Sequence, residues 1–94
     1  MSAYFIERAR RQFAARDLPA ALESCERAVE AEEASAEAWF LKATLEMALG
    51  RADVASASAL RATGLAPRDA KNWYLLGNAH ADGGAREAAR EAYA

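Results

Sequence analysis

The residues best suited to chemistry in this chain are few, namely one cysteine, Cys25, and one histidine, His80. They lie far apart in the sequence, so nothing in their spacing indicates a nucleophile paired with a base. No group of His, Cys or acidic residues has the spacing of a metal site. The pair at 83–84 is Gly-Gly without the Lys-Ser or Lys-Thr that follows a phosphate-binding loop. We therefore expect no enzyme, no metal and no cofactor, with Cys25 an inert core residue and His80 a packing or capping residue.

The composition of the chain restricts the kind of protein it can be. It has 94 residues, of which 53% are hydrophobic, enough for a folded core. The net charge of −2 argues against nucleic acid as a partner, and no apolar run approaches the length of a membrane span. A single cysteine excludes an internal disulfide. Abundant Ala and Arg are typical of a bacterial protein, and a cytoplasmic location is the default expectation.

The strongest pattern in the sequence is a repeat of 34 residues. The residues that align one repeat apart include Trp39 with Trp73, Phe40 with Tyr74, Gly50 with Gly84, and Ala21 with Ala55 and Ala89. The repeat divides one domain, 1–94, into units at 2–35, 36–69 and 70–94, and the last unit is incomplete. Such a period is typical of arrays in which each unit buries its apolar face against the next.

Each unit is predicted to form two antiparallel helices. In the second unit these span about 36–49 and 52–65, because Ser35 can cap the first and Gly50 can end it. Gly-Gly at 83–84 should likewise end a helix. Asp17 before Leu18-Pro19, and Asp69 before Ala70, are start signals of the same kind. No segment alternates apolar and polar residues as a strand does, so the chain is expected to be all-α.

Small and large residues occupy fixed places in the repeat. The eighth position of each unit holds Ala9, Ala43 or Gly77, and the twentieth holds Ala21, Ala55 or Ala89. Small side chains at both positions should let the two helices of one hairpin approach closely. The fourth position holds a large residue, Phe5, Trp39 or Trp73, which we expect to fill the space between adjacent hairpins.

This order of large and small residues resembles the tetratricopeptide repeat family. The resemblance rests on Trp73, Leu76, Gly77, Gly84, Ala89 and Tyr93 in the third unit and on Trp39, Ala43, Gly50, Ala55, Ala62 and Pro67 in the second. The first unit departs from the family at Arg16, where glycine is usual, and at Glu33, where proline is usual. Lys42 also replaces a usual leucine, and a partly buried bridge to Glu46 is expected there. The resemblance implies a right-handed superhelix of antiparallel hairpins, with about 2.7 units and six helices.

Proteins of this family usually bind a peptide or a partner's helix in the concave groove that the first helices of the units line. The residues at the corresponding positions are Ile6, Arg10, Phe13, Phe40, Thr44, Met47, Lys71, Tyr74, Asn78 and Ala81. This set predicts a non-catalytic protein–protein interaction module whose ligand carries apolar or aromatic side chains. The alternative for Phe13, Phe40, Met47 and Tyr74 is that they only pack against one another.

Other functions stay open at this point. Only Lys71 has the residue type of the family's carboxylate clamp, so a ligand held by its terminal carboxylate is not expected. The chain is alternatively an N-terminal repeat segment of a larger bacterial enzyme, of the glycosyltransferase or sulfotransferase type. It is also a candidate scaffold that self-associates into a homo-oligomer through the open C-terminal end of the stack, since repeat arrays normally end in a polar helix.

Overall fold

The computed structural model describes the backbone of residues 2–93 and the side chains of residues 2–84. Five helices follow one another: α1 (Ser2–Ala14), α2 (Leu18–Ala31), α3 (Ala36–Ala48), α4 (Ala52–Leu65) and α5 (Ala70–Tyr93). No strand occurs within residues 2–93, so the all-α expectation is confirmed. The predicted span of the second helix of the middle unit is the observed one.

The helices begin where the sequence predicts them to begin. A carboxylate oxygen of Asp17 accepts a hydrogen bond from the Ala20 amide at 3.3 Å, which caps α2. The Ser35 hydroxyl accepts from the Ala38 amide at 3.2 Å and caps α3. Asp69 caps α5 in the same way, by accepting from its second amide. Each bond satisfies an amide that has no partner inside its own helix.

The turn between α3 and α4 is a tight helix-ending motif centred on Gly50. This glycine has φ = 78°, and the Arg51 amide donates to the Glu46 carbonyl at 2.8 Å, five residues back. The same arrangement recurs 34 residues earlier, where Arg16 stands in place of the glycine and joins α1 to α2. Both turns reverse the chain and lay the second helix against the first.

The third unit does not form the two helices that were predicted for it. Helix α5 runs through Gly83 and Gly84 without interruption, so residues 2–93 form five helices and not the six that were predicted. Among the described residues Gly50 is the one glycine with positive φ, so Gly84 does not adopt the helix-ending conformation. Glycine permits that conformation but does not enforce it. The segment after Gly84 is rich in Ala, Arg and Glu, which favour continued helix strongly enough to offset the glycines.

The core lies both within the hairpins and between them, because each cluster of buried residues combines helices of adjacent units. Its largest cluster of buried residues consists of Ala9, Ala21, Leu22, Cys25, Leu41 and Leu45. Ala9, Ala21, Ala43 and Ala55 have no exposed surface. The prediction that small residues bring the two helices of a hairpin together is therefore confirmed for the first two units.

The stack curves so that α1, α3 and α5 lie on its inner side. Helix α1 contacts α3, and α3 contacts α5, whereas α2 and α4 are not in contact. Adjacent first helices thus lie closer together than adjacent second helices, which gives the α1–α3–α5 surface its concave side. The molecule measures 46 × 30 × 19 Å along its principal axes. None of the helices in the described part of the chain has the length and hydropathy of a membrane span.

Candidate functional site

The predicted groove residues all belong to α1, α3 and α5, but they differ in how much surface they offer. Exposed members are Arg10, Lys71, Tyr74, Asn78 and Ala81, and half-buried members are Ile6, Phe13, Phe40, Thr44 and Met47. The structure thus leaves the α5 members and Arg10 open to solvent and partly covers the other members on α1 and α3.

The junction of α3 and α5 carries the clearest contact within this set. The ammonium of Lys71 lies 4.9 Å from the centre of the Phe40 ring, a cation–π contact between the two helices. The same ammonium lies 3.7 Å from an Asp69 carboxylate oxygen. Tyr74, one turn along α5 from Lys71, is 74% exposed, the highest value among the exposed large hydrophobic residues. An aromatic surface with one cation therefore occupies this end of the groove.

At the α1 end the predicted residues serve the fold as well as the surface. Ile6 and Phe13 pack against the main core cluster, and Ile6 also packs against a second cluster that contains Val29. Arg10 forms an ion pair and hydrogen bond with Glu37 of α3, and both side chains are at least half exposed. Arg10 thus ties α1 to α3 across the groove.

Thr44 does not present a free hydroxyl to the groove. Its hydroxyl donates to the Phe40 carbonyl at 2.9 Å, one turn earlier in the same helix. Such back-bonding is common for threonine inside a helix. Thr44 therefore contributes shape to the surface through its methyl group more than hydrogen-bonding capacity.

Sequence reasoning missed a hydrogen bond that links the two helices of the first hairpin and recurs in the second, which we call a polar tie. In the first hairpin the Ser24 hydroxyl donates to Gln12 Oε1 at 2.6 Å. In the second hairpin, 34 residues on, the Ser58 hydroxyl donates to Glu46 Oε1 at 2.7 Å. The Lys42 ammonium donates to Glu46 Oε2 at 2.8 Å, which confirms the partly buried bridge predicted for this pair, and it also donates to Ser58 at 3.1 Å. The signal that would have revealed it was a serine at the same otherwise apolar position of both second helices.

The two tryptophans also repeat a contact. The Trp39 indole donates to the Glu33 carbonyl at 2.8 Å, and the Trp73 indole donates to the Pro67 carbonyl at 2.7 Å. Donor and acceptor are six residues apart in both cases. The expectation that both rings fill space between hairpins is only half right. Trp39 packs against the second core cluster, whereas Trp73 is 51% exposed because no helix covers it within the described residues.

Comparison with known families agrees with this 34-residue pattern. A family model described as tetratricopeptide repeat matches residues 36–69. Residues 36–69 are a tetratricopeptide repeat. The resemblance predicted from the sequence is thereby confirmed, and the protein contains a helical repeat of a family whose general role is protein–protein interaction. No curated protein matches the chain.

On the convex side of this tetratricopeptide repeat lies a cavity of about 520 Å³ between α2, α3 and α4. None of the predicted groove residues lines it. One wall is the Trp39 ring, with the Arg61 guanidinium 5.1 Å and the Lys42 ammonium 5.6 Å from its centre. The cavity lies between α2 and α4, which are not in contact with each other.

Cys25 and His80, the two residues best suited to chemistry, lie on α2 and α5, which are not in contact. Cys25 lies in α2 with 1% of its surface exposed, and burial raises the pKa of its thiol to about 12. Nearby Lys42 lowers that pKa, and Glu46 and Glu26 raise it, by smaller amounts than burial does. The prediction of a core position for Cys25 is confirmed. His80 was predicted near a helix end, but it lies within α5 and is exposed because that helix continues.

Proposed function

We propose that this chain is a non-catalytic module that binds a peptide or a partner's helix in the concave groove of α1, α3 and α5. The observation that carries the proposal is the exposed aromatic and cationic surface at the α3–α5 junction, where Lys71 lies over Phe40 and Tyr74 is exposed. Large rings held on rigid helices offer much contact area at a low entropic cost.

The groove residues favour a ligand with apolar or aromatic side chains and one acidic group. Tyr74 and Phe40 offer ring surfaces, and Asn78 offers both a donor and an acceptor. Among the described residues the one ion-pair partner of Lys71 is the half-buried Asp69, at 3.7 Å, so a ligand carboxylate can replace that partner at little cost. Arg10 is less suited to bind a ligand, since its guanidinium already bonds to Glu37.

Peptide selection tests this proposal and does not require an identified partner. A library of random displayed peptides is panned on the immobilised 94-residue chain, and the affinity of selected peptides is measured by titration calorimetry. We expect Tyr74→Ala to weaken binding at least tenfold and Tyr74→Phe to keep most of it. The matched control is Leu60→Ala on α4, because Leu60 is 60% exposed but lies outside the groove.

Two results would overturn the groove proposal. One is a selection that yields no peptide, and the other is a selected peptide whose affinity Tyr74→Ala leaves unchanged while Leu60→Ala reduces it. Far-UV circular dichroism of each variant establishes that the fold is retained.

The alternative of a repeat segment in a larger bacterial enzyme stays a hypothesis about neighbouring sequence. The downstream reading frame tests it, because a stop codon directly after Ala94 eliminates a C-terminal catalytic domain. A cytoplasmic location belongs with this proposal and is tested by fractionation of the source cells.

A further inference from the structure

One face of α5 lacks the helix that covers the equivalent face of α3. In α3, Ala43 is fully buried and Glu46 is 5% exposed, because α4 packs over them. The residues one repeat later, Gly77 and His80, are both exposed. Trp73, one turn before Gly77, is 51% exposed. Trp73, Gly77 and His80 form a single stripe, which we call the uncovered stripe.

The uncovered stripe exists because α5 is one uninterrupted helix. In the first two units a turn at Arg16 or Gly50 brings the second helix back onto the first. In α5 the chain passes Gly84 in helical conformation and continues to Tyr93. A straight helix of 24 residues is about 36 Å long, and its second half cannot touch its own first half.

The uncovered stripe has a surface on which another helix can pack closely. A Cβ built on Gly77 meets no atom within 4 Å, and the same holds at Gly84. A helix backbone can therefore approach α5 as closely as α4 approaches α3 at Ala43 and Ala59. The Trp73 indole N–H is already bonded to the Pro67 carbonyl, so its exposed ring is an apolar wall for the incoming helix.

The chain itself contains a segment whose sequence fits the uncovered stripe. Residues 86–93 stand one repeat after the start of α4, and Ala89 aligns with Ala55, which is fully buried against α3. The straight path of α5 carries this segment away from its own stripe. Residues 86–93 can therefore pack in the same register on the uncovered stripe of a second copy of the chain.

The contacts of the second hairpin also fix how two copies would pair. Glu46 bonds to Ser58, and the residues one repeat later are 80 and 92. Ala43 packs with Ala59, and the residues one repeat later are 77 and 93. The midpoints of both pairs fall near residue 85, next to Gly84. An antiparallel pair of α5 helices with a two-fold axis at that residue satisfies both pairings in both copies. Gly84 would lie at the crossing, where a small residue permits the closest approach.

We infer that the chain forms a reciprocal dimer in which residues 86–93 of each copy lie on the uncovered stripe of the other. Such exchange replaces a hairpin within one chain by the same helix contact between two chains. The dimer surface is separate from the groove, because Trp73 and Gly77 are offset by about 100° around α5 from Tyr74 and Asn78. It therefore stands or fails independently of the peptide-binding proposal.

Cross-linking of two introduced cysteines tests the inference on the full chain. In a Cys25→Ala background, Gly77→Cys and Tyr93→Cys are combined and oxidised, and products are resolved by non-reducing electrophoresis. In the straight helix these positions are about 24 Å apart, so a bond within one chain is excluded. We expect disulfide-linked dimers in most of the protein, and no comparable product from the control pair Asn78→Cys and Tyr93→Cys.

Each remaining outcome of this experiment overturns the inference. A disulfide within a monomer would mean that residues 86–93 fold back on their own stripe, and absence of a specific disulfide would mean that they occupy neither stripe. Sedimentation equilibrium gives a second measurement on the chain without introduced cysteines. Gly77→Gln should raise the dimer dissociation constant at least tenfold without loss of helix content, because a Cβ at this position meets no atom within 4 Å in the monomer.

Discussion

Arg16 and Gly50 stand one repeat apart and share the left-handed backbone conformation, with φ of 65° and 78°. The amide of Arg16 donates to Phe13 at 2.9 Å and that of Gly50 donates to Met47 at 3.0 Å, so the two turns have the same hydrogen bonds. The turn geometry is therefore set by the hairpin and is kept even where the residue disfavours it. A side chain in this conformation costs about 1–2 kcal/mol, which glycine avoids.

The first prediction follows from that cost. Arg16→Gly should increase the free energy of unfolding by about 0.5–1 kcal/mol, since relief of the backbone strain exceeds the entropy that glycine adds to the unfolded chain. The Arg16 side chain is exposed, so little contact is lost. Urea unfolding followed by circular dichroism measures the change. Gly50→Ala is the matched control and should lose about 1 kcal/mol, and a destabilised Arg16→Gly would contradict the strain argument.

Much of the fold was accessible from the sequence because its determinants are local or periodic. Ser35 and Asp17 predict helix starts because their side chains can accept hydrogen bonds from free amides, and the structure contains both bonds. Burial of Cys25 followed from its place in the helical period. These features depend on a few neighbouring residues or on a repeated spacing, and both are visible in one sequence.

The features that sequence analysis missed depend on what a helix packs against. Gly84 can end a helix or continue it, and the sequence does not show whether the residues after it pack back on α5 or extend it. Exposure of Trp73 depends on which of the two occurs. Groove residues Ile6 and Phe13 were placed on the right helix, but their contribution to the core depends on how α1 packs on α2 and α3.

The second prediction concerns the buried pair Lys42 and Glu46, whose side chains are 16% and 6% exposed. Lys42→Leu alone should cost about 3 kcal/mol, because it leaves the Glu46 carboxylate buried without its counter-charge. Lys42→Leu combined with Glu46→Gln should recover most of that loss. The double variant copies the neutral Gln12–Ser24 tie of the first hairpin.

A double-mutant cycle in urea measures this coupling. The exposed pair Arg27 and Glu23, at 3.8 Å, is the control, and Arg27→Ala should change stability by less than about 0.5 kcal/mol. Equal destabilisation by Lys42→Leu and by the double variant would show that packing of the lysine stem, and not its charge, stabilises the hairpin.

The third prediction distinguishes a straight α5 from a broken one. If Gly84 lies inside a helix, Gly84→Ala should stabilise the protein by up to about 1 kcal/mol and increase far-UV ellipticity, since alanine is the better helix former and its Cβ meets no atom within 4 Å. If the chain turned at Gly84 as it does at Gly50, the same substitution would cost about 1 kcal/mol. The sign of the change in unfolding free energy decides between the two.

The last prediction is an alkaline loss of stability that depends on Cys25. Burial raises the pKa of the folded thiol from 9.0 to about 12, whereas the unfolded thiol ionises near its ordinary value. The contribution of this thiol to stability is complete below pH 9 and is lost as the pH rises towards 12, because the unfolded state releases the proton first. Between about pH 9 and pH 11 this amounts to about 2 kcal/mol.

Cys25→Ala removes this titration, so its unfolding free energy should fall less steeply with pH than that of the wild type over the same interval. The variant also leaves a small cavity, which lowers its stability at every pH and therefore does not change the slope. Thiol reagents give an independent measurement at about pH 8, where the folded chain should react only through opening of α2 and the urea-unfolded chain at once. A folded Cys25 that reacts as fast as a free thiol would contradict both its burial and the direction of its pKa.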